Sequence, residues 1–369
     1  MIGYIKKKWN CLVSGLIGIL CLSTACNGGD GDKSVESISL KGSIVRTDTL
    51  YSRSFRPILS GNILFTTQPS SQDCMYMGRL EGDSLKTLDI FLRYGEGPDE
   101  FGYIEMACDG DSALVVLDSR GGRALSVCRF NYGQEGLLDR GIRKYDLKSV
   151  DRLTVGASAF VSLSDSTILV NSTDYDSPGI FAVVDYKNGT ASVIPWMPDD
   201  GFTGDKRISQ SLYTENTQLF RIGDRFLYVC GAGRYAFTFT LEDGMLKVDR
   251  TLLDKYPEYK GMDDDINYLV KRNVPQLTAA VSDDRIYLLE IAFDQDGNPA
   301  SDSHTPMFGN IVHCYDFSGN PLTDYILDRP GYSILVDKED NNMYLYSIND
   351  ETLDMDIVRY PLPDKSGSK

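Results

Sequence analysis

Histidine, cysteine and paired carboxylates are the side chains here that could do chemistry, and their spacing supports little of it. The chain has only two histidines, His304 and His313. No His-x-x-x-His, Cys-x-x-Cys or Gly-x-Ser-x-Gly sequence occurs, so the usual signatures of zinc sites and serine hydrolases are missing. His313 alternates with apolar residues in a predicted strand, which favours a structural role.

Two acidic runs invite a metal interpretation, and each has a simpler one. Asp294–Asn298 begins like a calcium loop, but Pro299 stands where an EF-hand needs glycine, and no Glu occupies the twelfth position. Asp263–Asp265 precedes apolar residues at helical spacing and indicates the acidic start of a short helix. We predict no metal and no cofactor. Carboxylate pairs for glycoside cleavage stay open, since the sequence does not give their separation.

Cys26 is the one residue with a specific predicted modification. Lys6–Lys8 and an apolar stretch from Cys11 to Leu22 indicate a signal peptide over residues 1–25. Small residues directly before Cys26 resemble a bacterial lipobox, after which this cysteine would be lipidated and anchor the protein to a membrane. Ordinary secretion with cleavage nearby is the alternative. Residues 26–34 are rich in glycine and polar residues and are predicted to be the tether.

Charge excludes one class of partner. Without residues 1–25 the chain keeps 34 basic and 53 acidic residues, a net charge of −19. Such a surface repels phosphate backbones, so nucleic-acid binding is disfavoured. The five cysteines beyond Cys26 are predicted to pack mainly as small apolar groups, with one incidental disulfide left open.

A repeat organises the rest of the chain. A turn with Gly, Asp or Asn precedes a short apolar strand six times, at spacings of 50, 54, 59, 60 and 57 residues. The turns lie at Gly61, Asp111, Asp165, Asp224, Asp284 and Asn341, and the strands begin at Ile63, Ala113, Thr167, Phe226, Ile286 and Met343. A period of this size filled with strands is typical of a β-propeller with one blade per repeat.

We therefore predict an all-β, six-bladed propeller of four-stranded antiparallel blades over residues 35–364, with a disordered tail at 365–369. In the second repeat the fourth strand is expected near Leu137–Lys144. The last repeat lacks a strand, which the segment Val35–Val45 would supply as its outermost strand and so close the ring. Seven blades or two packed β-sandwiches are the alternatives.

A short motif between the first two repeats carries a family resemblance. Arg93–Phe101 contains Gly-x-Gly-Pro-x-Glu-Phe, which, together with the lipobox and the repeat layout, resembles the TolB-like six-bladed β-propeller lipoproteins of Gram-negative bacteria. The resemblance implies the propeller fold and a location in the cell envelope as an outer-membrane lipoprotein, facing the periplasm or the surface. Its motif residues are predicted to form a structural turn, with Phe101 inserted between blades: Gly95, Gly97, Pro98, Glu100 and Phe101.

Long connections indicate where a ligand would bind. Segments of about 20 residues, well beyond ordinary connections, run from Trp196 to Thr217, from Asp254 to Pro275 and from Ile291 to Gly309, all on one predicted face. Aromatic and basic residues there could stack on a sugar or peptide and pair with its anionic groups. The alternative is that these segments are insertions without a ligand that only pack on one another. The candidate ligand-face residues are Trp196, Arg207, Tyr213, Tyr259, Tyr268, Lys271 and Arg272.

The sequence thus predicts a monomeric, lipid-anchored envelope propeller that binds a protein or a glycan. One alternative is an enzyme acting on carbohydrate or peptide at the mouth of the central channel, for which a carboxylate pair with a raised pKa would be the sign. Another is a scaffold that only spaces other components of an envelope assembly.

Overall fold

Nearly all described residues belong to strands or to the turns between them. The computed structural model describes residues 35–364 except 49–56, 68–72, 121–122, 155–156, 158, 173, 175, 215, 258, 261–268, 271–275, 293–307 and 350–354. The predicted leader, Cys26, Tyr268, Lys271, Arg272, His304, both acidic runs and the tail therefore lie outside the described residues. Three short strands come first: β1 (Ser37–Leu40), β2 (Ser43–Ile44) and β3 (Arg46–Thr47).

Six consecutive antiparallel sheets follow, and their strands are these. Blade one has β4 (Ile58–Ser60), β5 (Ile63–Thr67), β6 (Asp73–Glu81) and β7 (Ser84–Arg93). Blade two has β8 (Tyr103–Asp109), β9 (Ala113–Arg120), β10 (Arg123–Gly133), β11 (Gly136–Leu137) and β12 (Tyr145–Asp146), followed by a 3-10 helix at Lys148–Leu153. Blade three has β13 (Phe160–Ser162), β14 (Thr167–Asn171), β15 (Phe181–Asp185) and β16 (Thr190–Ile194).

The second half begins with a helix, α1 (Lys206–Thr214). Blade four has β17 (Gln218–Ile222), β18 (Arg225–Val229), β19 (Arg234–Glu242) and β20 (Met245–Lys255), and a small hairpin of β21 (Tyr259–Lys260) and β22 (Leu269–Val270) follows it. Blade five has β23 (Gln276–Val281), β24 (Arg285–Ile291), β25 (Gly309–Asp316) and β26 (Pro321–Gly331). Blade six has β27 (Ser333–Val336), β28 (Asn342–Ile348) and β29 (Met355–Pro361).

The blades form a closed six-bladed propeller, which confirms the predicted fold. The first strand of each blade contacts the first strand of the next, and β27 of blade six contacts β4 of blade one. One cluster of buried apolar residues lies between each pair of neighbouring blades. Burial of both faces of each sheet explains why the second strands are nearly continuous apolar runs.

The repeat predicted the second strands closely. β5, β9 and β14 begin at the predicted Ile63, Ala113 and Thr167, and β18, β24 and β28 each begin one residue early. The fourth strand of blade two differs from the expectation: β11 and β12 each pair with β10, while 138–144 between them is not a strand.

The N-terminal segment closes the ring and does more than predicted. As expected, β2 pairs antiparallel with β29 as the outermost strand of blade six. In addition, β1 pairs parallel with β26 of blade five, and β3 pairs parallel with β7 of blade one. Two blades therefore carry a fifth, parallel strand. We call residues 36–47 the strap, because they join three successive blades.

Antiparallel strands place their connections alternately at two ends, which defines two faces. Turns between first and second strands and between third and fourth strands lie on what we call the short-turn face. Connections from second to third strands and between blades lie on the other, the long-connection face. The strands that flank the segments 195–217, 256–275 and 292–308 all end on the long-connection face, in blades three to five.

Candidate functional site

The helix of the first long connection is held firmly on blade three. Asp205 caps α1, since its carboxylate accepts a hydrogen bond from the backbone N–H of Arg207 at 2.9 Å. Lys206 Nζ and Gln210 Nε2 both donate to the carbonyl oxygen of Ser177, at 3.0 and 2.8 Å. These bonds fix the helix to the connection between β14 and β15, so this part of the face is preformed.

Two of the aromatic candidates lie under this segment. Tyr213 is fully buried, its hydroxyl donates to Asp200 at 2.9 Å, and burial raises the pKa of its phenol far above the ordinary value. Trp196 is half-buried, with its ring 4.9 Å from that of Phe237 and 6.1 Å from that of Phe181. Tyr213 is therefore a core residue and not part of a surface, and the Trp196 ring contributes largely to packing.

Arg207 is a candidate residue that is exposed to solvent. It is exposed on α1 and pairs with Asp205, its Nε lying 2.9 Å from Oδ2. Hydrogen bonds from Arg207 hold the pKa of the Asp205 carboxyl below its ordinary value. Tyr259 belongs to the short strand β21, whose side chains lie outside the described residues.

A charged cluster, not predicted from the sequence, bridges blades four and five. His313 on β25 lies between two carboxylates, with Nδ1 2.8 Å from Asp324 Oδ1 and Nε2 3.1 Å from Glu290 Oε2. Arg234 of blade four reaches across to the same Glu290 oxygen at 3.1 Å. We call Arg234, Glu290, His313 and Asp324 the charged junction; their side chains are 16–30 % exposed.

The junction favours a protonated histidine. Desolvation lowers the pKa of His313, but hydrogen bonds to Glu290 and Asp324 outweigh it, and the net pKa is raised above 6.5. The hydrogen bond from His313 lowers the pKa of Glu290, against desolvation and with help from Arg234. An imidazole ring can donate to two carboxylates at once only when both nitrogens carry protons.

Loss of the His313 proton would exchange one hydrogen-bond partner of the ring for another, and the side chains of the junction would remain bonded to one another. Arg234 Nη2 lies 3.3 Å from His313 Nε2. When Nε2 is protonated, the imidazolium of His313 and the guanidinium of Arg234 are two cations in contact, and both lie beside the Glu290 carboxylate. Once Nε2 is deprotonated it can accept a hydrogen bond from Arg234, while Nδ1–H still donates to Asp324. The junction therefore has two defined bonding states.

The junction opens toward the long-connection face. Arg234 begins β19 directly after the connection 230–233, and Glu290 is the last but one residue of β24, next to the segment 292–308. Above the His313–Asp324 pair, the facing residues Ile311 and Ile326 are both exposed. Charged groups and exposed apolar side chains thus adjoin where two long connections begin.

The predicted turn motif forms a closed corner between blades one and two. Gly97 N–H donates to Glu100 Oε2 at 2.8 Å, and a Cβ added at Gly95 would lie 1.9 Å from the same oxygen. Phe101 is fully buried in the apolar cluster between these blades. Pro98 lies in the turn between Gly97 and Glu100. A side chain at Gly95 would therefore displace the Glu100 carboxylate from its hydrogen bond with Gly97.

A lysine from blade two secures this corner. Lys144 Nζ lies 4.0 Å from the centre of the Phe101 ring and 3.1 Å from Asp118 Oδ2, and it donates to the carbonyl oxygen of Glu100. Asp118 is 2 % exposed and also accepts from the backbone N–H of Gly102 at 2.8 Å. We call this arrangement the glycine corner.

The sequence held no local signal for the charged junction, since Arg234 and His313 are 79 residues apart. A signal for α1 was present: Asp205 stands at the N-cap, and Ile208 and Leu212 have helical spacing. Among the described residues, every carboxyl group with a clearly shifted pKa is shifted downward, namely Asp165, Asp185, Asp205, Glu290 and Asp316. The described residues also contain no metal-binding group of three or more His, Cys, Asp or Glu.

Comparisons with known proteins agree on the fold. The chain is similar to a candidate exported protein of Bacteroides fragilis, with 12 % identity over 89 % of this chain and 100 % of that one, at a TM-score of 0.51. It is also similar to a member of the DUF4221 family from Bacteroides vulgatus, with 12 % identity over 87 % and 97 % of the two chains, again at 0.51. At this identity the likeness shows the fold alone. No family model and no curated protein matches the sequence.

In the part of the chain that the structure describes, no helix is both long and apolar enough to cross a bilayer.

Proposed function

We propose that the protein is a lipid-anchored interaction module of the cell envelope, held in the outer membrane through Cys26, whose long-connection face binds another envelope protein. The observation that carries this is the gathering of the three longest connections on one face around blades three to five. A rigid ring supporting long connections on one side is the usual arrangement for a binding site.

A protein partner fits the described part of this face better than a glycan. A sugar is typically held by several exposed aromatic rings, whereas here Tyr213 is buried, the Trp196 ring packs against Phe237, and the ring of Tyr256, a residue 36 % exposed, lies 4.8 Å from that of Tyr235. What the face does present is Arg207, the charged junction and the exposed Ile311 and Ile326. Charged and apolar groups side by side are characteristic of protein interfaces.

A pair of charge reversals on opposite faces tests the proposal. Arg207→Glu alters the long-connection face, and Lys247→Glu is its matched control near the short-turn face. Both are exposed cations that pair with a carboxylate, that of Asp205 and that of Glu242 respectively. We expect Arg207→Glu to reduce the partner recovered with the intact lipoprotein from membranes and to make the remainder more sensitive to salt, and Lys247→Glu to leave recovery unchanged.

Equal recovery of the partner with both variants, or loss with Lys247→Glu alone, would contradict the proposed face. Release by a competing glycan would redirect the proposal from protein to carbohydrate. The anchor has a separate test, because Cys26→Ala should move the protein into the soluble fraction; unchanged membrane retention would refute lipidation at this residue.

A further inference from the structure

A cavity of about 350 Å³ lies on the short-turn face where blade six meets blade one. The turns at Gly61 and Gly82 of blade one form one wall, and the turn between β27 and β28, together with Tyr344 and Arg359, forms the other. A Cβ added at either glycine would meet no atom within 4 Å, so these two turns leave the entrance unobstructed. The volume is near the lower end of the range for ligand-binding pockets and therefore suits a small molecule.

The strap and an ion pair hold the two walls of this cavity together. Val45 N–H donates to the carbonyl oxygen of Ile357 in blade six at 2.8 Å. Arg46 N–H donates at the same distance to the carbonyl oxygen of Asp83, in the turn between β6 and β7 of blade one. The Asp83 carboxylate in turn pairs with Arg359 of blade six, with Oδ1 2.5 Å from Nη1. The cavity is therefore preformed at the joint that closes the ring.

The lining carries negative charge that the described cations do not neutralise. Arg359 is already paired with the carboxylate from blade one, and Lys338 is paired with Asp111 of blade two at 2.9 Å. Asp337 accepts hydrogen bonds from two neutral donors, a backbone N–H at 2.6 Å and an amide side chain at 2.8 Å. Glu339 is exposed, and neither it nor Asp337 forms an ion pair with a described lysine or arginine. The cavity therefore favours a cation over an anion.

A tyrosine hydroxyl in the cavity gives a second, independent indication of a ligand. Tyr344 is 6 % exposed and belongs, with Leu80, to the apolar cluster between blades six and one. Burial raises the pKa of this phenol to about 12, and the effects of Asp337, Arg359 and Asp83 on it place its hydroxyl among these groups. Within the described part of the chain the hydroxyl forms no hydrogen bond. Side chains this buried normally have their polar atoms paired, so the hydroxyl is available to a molecule in the cavity.

We propose that this cavity binds a primary ammonium group carried on a short apolar chain. An ammonium group has three hydrogen-bond donors, and the carboxylates of Asp337 and Glu339 and the hydroxyl oxygen of Tyr344 are acceptors for them. The apolar chain finds its contacts on Leu80 and on the Tyr344 ring. A free alkylamine and the side chain of a lysine share this chemistry. The site is on the face opposite to the long connections and is therefore separate from the proposed partner surface.

Titration calorimetry of the intact protein in non-ionic detergent tests the ligand chemistry, in about 0.15 M salt to screen exposed charges. The probes are pentylamine, pentanol, and a lysine whose α-amino and carboxyl groups are both blocked. We expect pentylamine to bind at least about tenfold more tightly than pentanol, which has the same chain without the charge. Tighter binding of the blocked lysine than of pentylamine would identify a peptide as the source of the ammonium group, and weaker binding a free amine. Equal affinity for pentylamine and pentanol, or no binding of either amine, would overturn the proposal.

Three variants locate the bound amine. Tyr344→Phe removes only the hydroxyl and should weaken pentylamine binding about tenfold, with the melting temperature of the free protein unchanged. Glu339→Gln, at an exposed position where folding is not at risk, should weaken binding about threefold. Asp224→Asn is its matched control, because this exposed carboxylate lies in the corresponding turn of blade four, and binding there should stay the same.

The variants also separate the cavity from the overall negative charge of the protein. Equal losses of affinity in Glu339→Gln and Asp224→Asn would show that the amine is attracted by net charge alone, and would overturn the proposal. Unchanged affinity in Tyr344→Phe would overturn it as well. Because no partner protein and no lipid anchor enters these titrations, their outcome is independent of the proposed function.

Discussion

The glycine corner and the charged junction place the same chemical groups at two blade interfaces, with opposite consequences. Each joins neighbouring blades near the long-connection face and sets a carboxylate against a cation. At the corner, Asp118 is 2 % exposed, and Lys144 is held by three different groups. At the junction, Asp324 is 30 % exposed, and a histidine with two bonding states lies at the centre. The buried pair of the corner is held in one arrangement, whereas the partly exposed groups of the junction can exchange hydrogen-bond partners.

The surrounding apolar packing differs in the same direction. Among the described residues, thirteen buried apolar residues fill the interface between blades one and two, against seven between blades four and five. Of the six interfaces, the one between blades four and five has the fewest buried apolar residues among those described. Regions with few buried apolar contacts open locally at low free-energy cost, and binding sites are commonly found in them.

The largest effect is expected on breaking the corner. Lys144→Met leaves the buried Asp118 without its cation, which should lower the free energy of unfolding by roughly 3 kcal/mol. Lys148→Met is the matched control, since its partner Asp146 and Lys148 itself are exposed, and the change there should stay within about 0.5 kcal/mol. Urea denaturation followed by fluorescence measures both. Similar changes in the free energy of unfolding for the two variants would show that the buried Lys144–Asp118 pair stabilises the fold no more than an exposed pair does.

A second variant tests why the corner needs glycine. Gly95→Ala places a methyl group where the Glu100 carboxylate lies, and should destabilise the fold by about 1–3 kcal/mol. Adding Glu100→Ala should recover part of this loss, because it removes the clash. Gly133→Ala, whose new Cβ would meet only Leu138 at 3.5 Å, is the control with little expected change. Strict additivity of the two corner substitutions would rule out the proposed clash.

The smallest effect, and the one specific to the junction, is a dependence of stability on pH. Because the pKa of folded His313 is raised, its stabilising contribution is complete below the unfolded value of about 6.5 and is lost as pH rises through the folded value. The lowered pKa of Glu290 gives a contribution that is present above the unfolded value of about 4.3 and is lost as pH falls through its folded value. The junction is therefore most stabilising in mildly acidic solution.

His313→Gln should remove the loss of melting temperature between roughly pH 6 and pH 9, while His304→Gln should retain it. Thermal melts of the three proteins across this range provide the measurement. An unchanged pH profile in His313→Gln would mean that the junction does not respond to pH through this residue.

Local sequence signals predicted the blades because each second strand is built from neighbouring residues. A Gly, Asp or Asn turn followed by an apolar run located β5, β9 and β14 at their first residue. Closure by the N-terminal segment was predicted because the last repeat lacks one strand. Counting strands in a sequence requires no knowledge of the geometry. The parallel pairing of β1 and β3 was not predictable this way, since these strands are two to four residues long and their partners lie in other blades.

The sequence indicated where the long connections leave the propeller, but not which side chains lie beside them. Lengths of connections indicated the face, and Arg207 lies exposed on it. Burial of Tyr213 depends on how α1 packs on blades three and four, which amino-acid type alone does not report. The charged junction depends on the register between β24, β25 and β26 and on the approach of a neighbouring blade. Such contacts between distant residues leave no pattern in a single sequence.

The measurement that tests the proposed face most directly compares the two ends of β20 in the complex with the partner. Met245 begins this strand at the short-turn face and is 51 % exposed, and Tyr256 follows its last residue at the long-connection face and is 36 % exposed. Hydroxyl-radical footprinting of the lipoprotein, with and without its co-purified partner, reports the accessibility of both side chains. If the long-connection face binds the partner, the partner protects Tyr256 and leaves Met245 as reactive as in the free protein. Protection of Met245 with Tyr256 unchanged would contradict it.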